Sequence, residues 1–408
     1  MAIPSPSKIA SGVRSRVSGD GRPGTRRRPH MRALLESALG YPFTDGNRVD
    51  VLRNGQEIFP AMLTAIREAQ LSIEFLTFIY WRGDIARRFA YALAEKALEG
   101  VDVFVLLDGY GAAKIDKDLV GLMQGAGVRV QWFRPVRPPY LSSGNHRTHR
   151  KIMVVDSKVA FTGGVGIGTE WEGDARSPDE YRDTHFRVRG PAVRHLRAAF
   201  LGNWFETGAS LIDLERHVVG HDRPGAAAVQ VVRSTASIGW NDTATLLQVI
   251  LTYARKRIWI ATGYFVVDDG TQNRLAAAAR RGVDVRVMFP GRYHDKRVSQ
   301  WAGEHELLPL LDSGVSAYWY QKTMLHAKVM IIDDTFASVG STNLNQRSLR
   351  KDDEVSLAID DRATNQTLTR HYEDDLGACE RVEKRGWRRR GPLRRLKEIV
   401  SLPLHQHA

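Results

Sequence analysis

The sequence predicts an α/β fold built from two similar halves, each with a mixed or mostly parallel sheet and covering helices. First, apolar β-branched runs typical of buried strands alternate with amphipathic runs typical of helices. Second, this order repeats along the 408-residue chain. Matching residues stand 185, 182 and 177 positions apart in the pairs Ala69 and Ala254, Gly100 and Gly282, and His149 and His326. An internal duplication of roughly 180 residues accounts for these separations.

In the first half, helical periodicity and turn residues define the order of elements. Gly100 ends a helix, and the Asn54-Gly55 pair is typical of a turn. The predicted elements are helix Met31–Leu39, strand Val49–Leu52, helix Phe59–Ala69, strand Leu71–Phe78, helix Ile85–Leu98 and strand Val101–Leu107. A helix between two apolar strands is the usual parallel crossover, which favours a sheet covered by helices.

The second half repeats this order after a break in composition. The predicted elements are helix Thr243–Ala254, strand Arg257–Thr262, helix Gln272–Arg281 and strand Val283–Phe289. His, Gly, Pro and Asp cluster between positions 216 and 225, which indicates a linker at 216–228. The halves are therefore predicted to span 31–215 and 229–380, flanked by a disordered basic arm at 1–30 and a basic amphipathic tail at 381–408.

The composition limits the possible functions. Hydrophobic residues make up 43% of the chain, which permits large cores and excludes global disorder. A formal net charge of +13 favours a polyanionic partner, either nucleic acid or anionic lipid. The single cysteine, Cys379, excludes an intramolecular disulfide and a zinc cluster built from thiolates. No apolar run reaches the roughly 20 residues that a membrane span needs, and no signal peptide is recognised.

The most informative feature is a repeated His-x-Lys motif. The copies are His149, Lys151 and Asp156, and His326, Lys328 and Asp333. Each opens a β-branched run that leads to a small, polar turn, at 162–166 and at 340–343. One imidazole can attack phosphorus and a second can protonate the leaving oxygen. Lysines and backbone N–H groups can hold the phosphate oxygens, so the pattern indicates phosphoryl-transfer chemistry.

From position 49 to position 356 the chain resembles the phospholipase D superfamily, whose two HKD motifs have this form. Within that superfamily it is most similar to bacterial cardiolipin synthases without membrane spans. The stretches that carry the resemblance are Asn145 to Lys151, Ala160 to Gly164, Tyr181 to His185, Thr262 to Asp268, and Gly340 to Ser348. The resemblance implies two pseudo-symmetric α/β sandwich halves that share one active site.

The resemblance also implies roles for individual residues. His149 is the nucleophile, and His326 is the general acid and then the base. Phosphate binding falls to Lys151, Lys328, Asn343, Ser341 and Gly164. Asp183 and Glu354, which lie downstream of the first and second motif, can each hold an imidazole by its far nitrogen. Asp156 and Asp333 belong to the catalytic motifs, but they stand at strand ends, where a structural role is expected. No metal or cofactor is expected.

Several residues remain open at this level. Gly166 stands where the family pattern has an asparagine, so one phosphate-binding amide is missing or replaced in the first half. His146 is interpreted as a loop residue. Glu74 lies on an apolar strand, either buried and paired near the site or at an edge. The aromatic residues interpreted as a mouth for lipid are Trp81, Trp132, Phe133, Tyr140 and Trp171.

The leading hypothesis is a phosphatidyltransferase that joins two phosphatidylglycerol molecules into cardiolipin and glycerol through a phosphohistidine. The alternatives are a phospholipase D that forms phosphatidic acid, a nuclease for DNA or RNA, and an inactive lipid- or nucleic-acid-binding relative. The tail predicts a helix from Pro392 with Leu393, Leu396 and Val400 on one face. This stripe favours an anionic phospholipid surface over nucleic acid. A peripheral position on the cytoplasmic face of a bacterial membrane is expected, and the oligomeric state stays open.

Overall fold

The computed structural model describes residues 30–136, 146–210, 212, 222–235, 241–296, 300–301, 303 and 307–388. Sixteen of the strands form one large mixed sheet, and two short strands form a separate pair. Within the described residues, no helix combines the length and apolar character that crossing a membrane requires. The basic arm up to residue 29, the tail from residue 389 and Tyr140 lie outside the described residues.

Strands and helices alternate along the chain. The strands are β1 Thr44–Arg53, β2 Ser72–Thr77, β3 Asp102–Asp108, β4 Arg129–Phe133, β5 Arg147–Thr148, β6 Ile152–Val155, β7 Val159–Gly163, β8 Thr184–Arg189, β9 Ala227–Ser234, β10 Arg257–Thr262, β11 Phe265–Val266, β12 Asp284–Pro290, β13 Ser316–Tyr320, β14 Lys328–Ile332, β15 Phe336–Gly340, β16 Leu344–Asn345, β17 Asp352–Asp360 and β18 Cys379–Arg381. The helices are α1 Met31–Leu39, α2 Asn54–Glu68, α3 Asp84–Leu98, α4 Lys117–Gly125, α5 Val193–Glu206, α6 Asp242–Tyr253, α7 Asp269–Arg280, α8 Leu307–Asp312, α9 Gln346–Arg350, α10 Arg362–Leu376 and α11 Lys384–Arg388. A short 3-10 helix spans Thr169–Trp171.

The large sheet runs through both halves without a break. Its order is β18-β13-β12-β10-β14-β15-β17-β9-β1-β8-β7-β6-β2-β3-β4, with β5 added beside β17. Each half has a parallel core, β2-β3-β4 in the first and β10-β12-β13 in the second. The halves join where β9 pairs antiparallel with β1 on one side and with β17 on the other. The prediction of two similar α/β halves is confirmed.

Three apolar clusters hold the helices against this sheet. Helices α2, α3 and α4 pack on one face of the first half, and α1, α6 and α7 pack on the second half. A central cluster lies on the other face, where it joins residues of α5 and α10 to strands of both halves. Because this cluster draws on both repeats, burial of its apolar surface stabilises the junction between them.

Most predicted elements agree with the structure, and two agree to the residue: Met31–Leu39 and Arg257–Thr262. The turn predicted at Asn54-Gly55 is wrong, because α2 begins there. Asn54 does adopt the left-handed backbone that the Asn-Gly signal indicates, with φ 57°. A Cβ on Gly55 would lie 2.0 Å from the carbonyl oxygen of Trp171, so only glycine fits this close approach.

Two predicted boundaries are displaced. Strand β9 begins at Ala227, inside the predicted linker, and pairs with the first half. The predicted start of the tail at residue 381 is wrong, because Val382 and Trp387 are buried in the core of the second half. The Trp387 ring stacks obliquely on Trp319, with 5.4 Å between centroids. Trp387 is therefore a core residue of the second half.

Candidate active site

Both histidine motifs lie at the start of a central strand. Lys151 directly precedes β6, whereas Lys328 is the first residue of β14. His149, Lys151, His326 and Asn343 line one pocket of about 420 Å³ to which both halves contribute. Lys328 does not line this pocket but is buried behind His326. The histidines themselves precede the strands, so the expected position of each His-x-Lys pair within a strand is wrong for the histidines.

The backbone of each motif is anchored to the opposite half. The backbone N–H of His149 donates to the carbonyl oxygen of Asp353 at 2.9 Å. The backbone N–H of His326 donates to the carbonyl oxygen of Arg182 at 2.7 Å. Strand β5, which leads into His149, pairs in parallel with the start of β17. These contacts fix the two histidine loops relative to each other, so the site forms only where the halves meet.

The carboxylates that hold the imidazoles are exchanged between the halves. His149 Nδ1 lies 2.9 Å from Glu354 Oε1, and His326 Nδ1 lies 2.7 Å from Asp183 Oδ2. Chain order would pair each histidine with the carboxylate downstream of its own motif, and that order is reversed here. A carboxylate at Nδ1 favours the tautomer with the proton on Nδ1, which leaves Nε2 as the reactive nitrogen.

Ser341 supports one of these carboxylates and Gly164 leaves room for the other. This corrects the prediction that both residues bind phosphate, because their N–H and hydroxyl donors already have other acceptors. The Ser341 hydroxyl donates to Glu354 Oε2, and the Ser341 side chain is fully buried. At the matching position of the first half, a Cβ on Gly164 would lie 2.2 Å from Asp183 Oδ1. The Gly164 N–H is used by the carbonyl oxygen of Thr184 at 3.2 Å. Trp171 Nε1 donates to Asp183 Oδ2 at 2.9 Å, in the role that Ser341 has in the other half.

Burial sets the charge state of the histidines and lysines. It lowers the pKa of His149 to about 4, that of Lys151 to about 8 and that of Lys328 to about 7. Burial and the neighbouring Lys328 also lower the pKa of His326. Each lysine folds back on its own motif, since Lys151 Nζ donates to His149 O at 2.9 Å and Lys328 Nζ donates to His326 O. The two clustered lysines favour an anionic ligand such as a phosphodiester.

Asn343 and Gly166 occupy matching repeat positions but different surroundings. Asn343 is buried against the pocket, and its Oδ1 accepts no hydrogen bond within the described part of the chain. A Cβ on Gly166 would lie 2.7 Å from Ile79 Cβ and 3.2 Å from Trp171 Cη2. The first half therefore has no room for the asparagine that the family pattern places there. At this position the first half has the apolar groups of Ile79 and Trp171 instead.

The aspartates that close the two motifs are structural. Asp156 accepts hydrogen bonds from the backbone N–H groups of residues 70, 71 and 72. Asp333 does the same for residues 255, 256 and 257. Both have positive φ, at 51° and 48°. Asp156 directly follows β6 and Asp333 directly follows β14, the strands that start just after Lys151 and at Lys328. Each aspartate ties its strand to the start of the neighbouring strand, and neither lines the pocket.

Of the other residues singled out from the sequence, some line the pocket and others are buried in the core. Trp81 and Trp171 line the pocket. Trp132 and Phe133 do not, because β4 turns both side chains into apolar clusters, so their predicted place at the mouth is wrong. Glu74 is fully buried beside Arg197, with 2.7 Å between Oε1 and Nε, and burial raises its pKa to about 7. His146 is a half-buried loop residue that does not line the pocket.

The pocket also contains residues that sequence reasoning missed. They are Phe78, Ile79, Tyr110, Gly111, Ala113, Lys114, Tyr181, Tyr264, Asp295, Lys296, Asn345, Arg347, Ser348 and Asp352. Phe78, Tyr110, Tyr264 and Asp295 follow the carboxyl ends of parallel strands β2, β3, β10 and β12. Ligands of open α/β sheets bind at those ends, so strand polarity offered a signal for these four. Within the described residues, no group of three or more His, Cys, Asp and Glu side chains is arranged to hold a metal ion.

Comparison with known proteins identifies the family to which the chain belongs. The family described as "Cardiolipin synthase, PLD-like domain" matches residues 62–172 and 247–376, one segment around each histidine motif. Cardiolipin synthase 1 of Bacillus cereus is 31% identical over 385 residues, which cover 92% of this chain and 75% of that protein. The probable cardiolipin synthase YwiE of Bacillus subtilis is 34% identical over 357 residues, covering 87% and 71%. Cardiolipin synthase 2 of Bacillus cereus is 35% identical over 366 residues, covering 88% and 70%.

Solved structures agree at the level of the fold. The crystal structure of phosphatidylserine synthase from Haemophilus influenzae superposes with a TM-score of 0.66 at 13% identity, covering 91% of this chain and 99% of that one. Polyphosphate kinase from Porphyromonas gingivalis superposes with a TM-score of 0.56 at 11% identity, covering 83% and 49%. Since both halves match the family description and several relatives exceed 30% identity over most of the chain, the protein belongs to the cardiolipin synthase family of the phospholipase D superfamily.

Proposed function

We propose that this protein is a phosphatidyltransferase of the cardiolipin synthase type, which joins two phosphatidylglycerol molecules and releases glycerol. The observation that carries the proposal is the pair of histidines in one pocket, each bound at Nδ1 by a carboxylate of the other half. Two imidazoles presented in this way supply both a nucleophile and a proton carrier. The family of the chain points to phospholipid as the substrate class.

In the first step His149 takes up the phosphatidyl group. Nε2 of His149 attacks the phosphorus of the donor lipid while the bond from phosphorus to the glycerol oxygen breaks. His326 delivers a proton to that oxygen, and glycerol leaves. Burial and Lys328 lower the pKa of His326, and the negative charge of the bound phosphate offsets this effect and favours the protonated form. A pKa of about 4 keeps His149 neutral at physiological pH, as a nucleophile requires. The charges of Lys151 and Lys328 offset the negative charge of the phosphate oxygens.

In the second step an alcohol of another lipid replaces the histidine. The headgroup hydroxyl of a second phosphatidylglycerol gives its proton to neutral His326 as its oxygen attacks phosphorus. The bond between phosphorus and His149 Nε2 breaks, and the electron pair returns to the imidazole. Transfer competes with hydrolysis here, so the pocket must admit a lipid headgroup and limit water. Phe78, Trp81 and Trp171 line the pocket and provide such an apolar wall.

The reaction is tested with purified full-length protein and phosphatidylglycerol vesicles. We expect cardiolipin and free glycerol as products, with no product from His149→Ala or His326→Ala protein under the same conditions. Phosphatidic acid as the main product would identify a hydrolase instead. Cleavage of DNA or RNA without any lipid turnover would contradict a lipid substrate altogether. The histidine variants distinguish activity at this pocket from a contaminating enzyme.

The formal net charge of +13 supports peripheral association with an anionic membrane surface, on its cytoplasmic face. Binding to vesicles should therefore require anionic lipid and weaken as salt rises. Removal of residues 389–408 should weaken binding, whereas the cut must spare Trp387 because that ring is in the core. Far-UV circular dichroism of the truncated protein checks that the fold is retained. Equal binding to neutral and anionic vesicles at every salt concentration would contradict electrostatic association.

A further inference from the structure

The pocket carries a carboxylate beside His326 that the two-histidine chemistry does not use. Asp295 follows β12, lines the pocket and has a side chain that is 28% exposed. Its Oδ2 accepts a hydrogen bond from the Tyr264 hydroxyl at 2.5 Å, and its Oδ1 lies 3.5 Å from His294 Nδ1. We propose that Asp295, oriented by Tyr264, binds the free hydroxyl of a polyol headgroup and so selects the acceptor alcohol. This inference rests on the proposed function.

The position of Asp295 agrees with the direction from which the acceptor arrives. In an in-line displacement the attacking and leaving groups lie on opposite sides of phosphorus. With His149 on one side, the leaving glycerol and the incoming alcohol both lie on the side of His326. The Tyr264 ring lies 6.4 Å from the His326 ring, between centroids. Asp295 is also close enough to act electrostatically on Lys328, behind that histidine.

The corresponding place in the first half has no carboxylate. Thr77 and Thr262 end matching strands, and each hydroxyl donates to the carbonyl oxygen two residues on, so Tyr264 matches Ile79. The helix-ending glycines Gly100 and Gly282 are 182 residues apart, and the same separation matches Asp295 with Ala113. Ile79 and Ala113 also line the pocket, on the side of the first half. The polar pair is therefore a feature of the His326 side.

A carboxylate at this place distinguishes alcohols by their second hydroxyl. When one glycerol hydroxyl attacks phosphorus, the neighbouring hydroxyl can donate to Asp295. Ethanol has no second hydroxyl and would leave the carboxylate oxygen without that partner, an arrangement that discriminates strongly. The adjacent His294 imidazole and the Tyr264 hydrogen bond hold the pKa of Asp295 well below its usual range against the opposing effect of burial, so the carboxylate is ionised at neutral pH.

A lysine next to this carboxylate extends the subsite from glycerol to a whole lipid headgroup. Lys296 is exposed and lines the pocket, with Nζ 5.3 Å from the centroid of the Tyr264 ring. An acceptor phosphatidylglycerol carries its own phosphate one glycerol away from the attacking oxygen. The Lys296 ammonium can meet that phosphate at the rim of the pocket. Glycerol would use Asp295 alone, whereas phosphatidylglycerol would use Asp295 and Lys296 together.

A competition assay on the full-length protein tests the subsite. Phosphatidylglycerol vesicles serve as donor, with deuterated glycerol and ethanol present together as acceptors. Mass spectrometry then resolves deuterated phosphatidylglycerol, phosphatidylethanol, phosphatidic acid and cardiolipin from one reaction. Asp295→Asn should reduce the preference for glycerol over ethanol by about tenfold or more. Tyr264→Phe should shift it in the same direction by a smaller factor, because the carboxylate remains but is less well oriented.

Two further variants separate the parts of the proposal. Lys296→Ala should lower cardiolipin relative to deuterated phosphatidylglycerol without changing the ratio of glycerol to ethanol products. Asp352→Asn is the matched control, since Asp352 is a second pocket carboxylate but is bound by Arg347 and lies two residues before the partner of His149. The Asp352→Asn protein should give the same ratio of glycerol to ethanol products as the unmodified protein, even if its turnover is slower.

The outcomes are distinguishable from failure of the proposed function. If Asp295→Asn and Tyr264→Phe slow every product equally, Asp295 acts only on the charge of His326 and the subsite is wrong. If only Asp352→Asn changes the ratio of glycerol to ethanol products, the acceptor subsite lies on the His149 side and the assignment to Asp295 is wrong. If the unmodified protein forms both alcohol products but no cardiolipin, the proposed function fails, while the ratio still tests Asp295. Thermal unfolding of each variant identifies losses that come from misfolding.

Discussion

Around His149 the supporting carboxylate is a glutamate that accepts a hydrogen bond from Ser341, whereas around His326 it is an aspartate that accepts one from Trp171. The backbone contacts of the two histidines nevertheless match, as do the lysines that fold back to the carbonyl of their own histidine. Because each half supplies the other's carboxylate, neither half can build a complete site alone. Duplication has kept the geometry that the chemistry needs and changed the residues that surround it.

The pocket-lining residues beside His149 differ from those beside His326 more than the two histidine motifs differ from each other. On the side of the first half, Gly166 is covered by Ile79 and Trp171. At matching positions the second half has Asn343 and Tyr264, both of which line the pocket. At these two pairs of matching positions the first half presents apolar groups to the pocket and the second half presents polar ones. Such a difference fits two substrates that enter one site in different roles.

The largest expected effect comes from removing either histidine. His149→Ala and His326→Ala should each lower transfer on the order of 10⁴-fold or more, because both steps need both imidazoles. A lipid donor with a nitrophenol leaving group distinguishes the roles of the two histidines, because nitrophenolate can leave without receiving a proton. With that donor, His326→Ala should still form the covalent adduct, and His149→Ala should not. Mass spectrometry after an alkaline quench locates the adduct, and an adduct on His326 would reverse the assigned roles.

The exchanged carboxylates come next in size. Glu354→Gln and Asp183→Asn should each lower turnover by about 10²- to 10⁴-fold, because the imidazole loses its preferred tautomer and orientation. Glu354→Gln should slow adduct formation from every donor, whereas Asp183→Asn should be largely tolerated with the nitrophenyl donor. Ser341→Ala removes only one hydrogen bond to Glu354 and serves as the milder control. The opposite pattern of donor dependence would contradict the exchange between halves.

The sequence predicts the repeated skeleton well and the contacts between the repeats poorly. Local periodicity determines elements such as Arg257–Thr262, and the His-x-Lys spacing identifies His149 and His326 without any structure. Which carboxylate serves which histidine depends on how the halves pack, and chain order contains no such information. The family resemblance implies phosphate binding by Ser341, but its hydroxyl turns inward to Glu354, a contact that depends on the packing around β17. Trp387 was assigned to the tail because the basic residues that follow it obscure its burial.

A moderate effect is expected where the pocket wall differs between the halves. Asn343→Ala should lower turnover by about 10²- to 10³-fold if its amide donates to the phosphate in the transition state, with little change in stability. Gly166→Asn should instead destabilise the fold by about 1–3 kcal/mol, because Ile79 and Trp171 must move aside. Thermal unfolding and steady-state kinetics measured on both variants test this contrast. A fully stable and more active Gly166→Asn protein would mean that the first-half wall can accept the missing amide.

The smallest expected effect is a difference in pH response between the two lysines. Burial lowers the pKa of Lys328 to about 7 and that of Lys151 to about 8, and the nearby carboxylates Asp183 and Glu354 offset part of this change. A lysine is charged below its pKa, so rising pH removes the charge of Lys328 first and that of Lys151 second.

We therefore expect kcat/KM for an anionic lipid to fall as pH rises above about 7, by a factor of up to about ten per pH unit. At the acid end His149 stays neutral down to about pH 4, so protonation of the nucleophile does not limit the reaction near neutral pH. Arginine is charged throughout this range, so Lys328→Arg should move the alkaline limit upward, whereas Lys151→Arg should leave the first fall near pH 7 in place. An alkaline limit that is unchanged in Lys328→Arg would assign the fall to deprotonation of His326 rather than to the lysine of its motif.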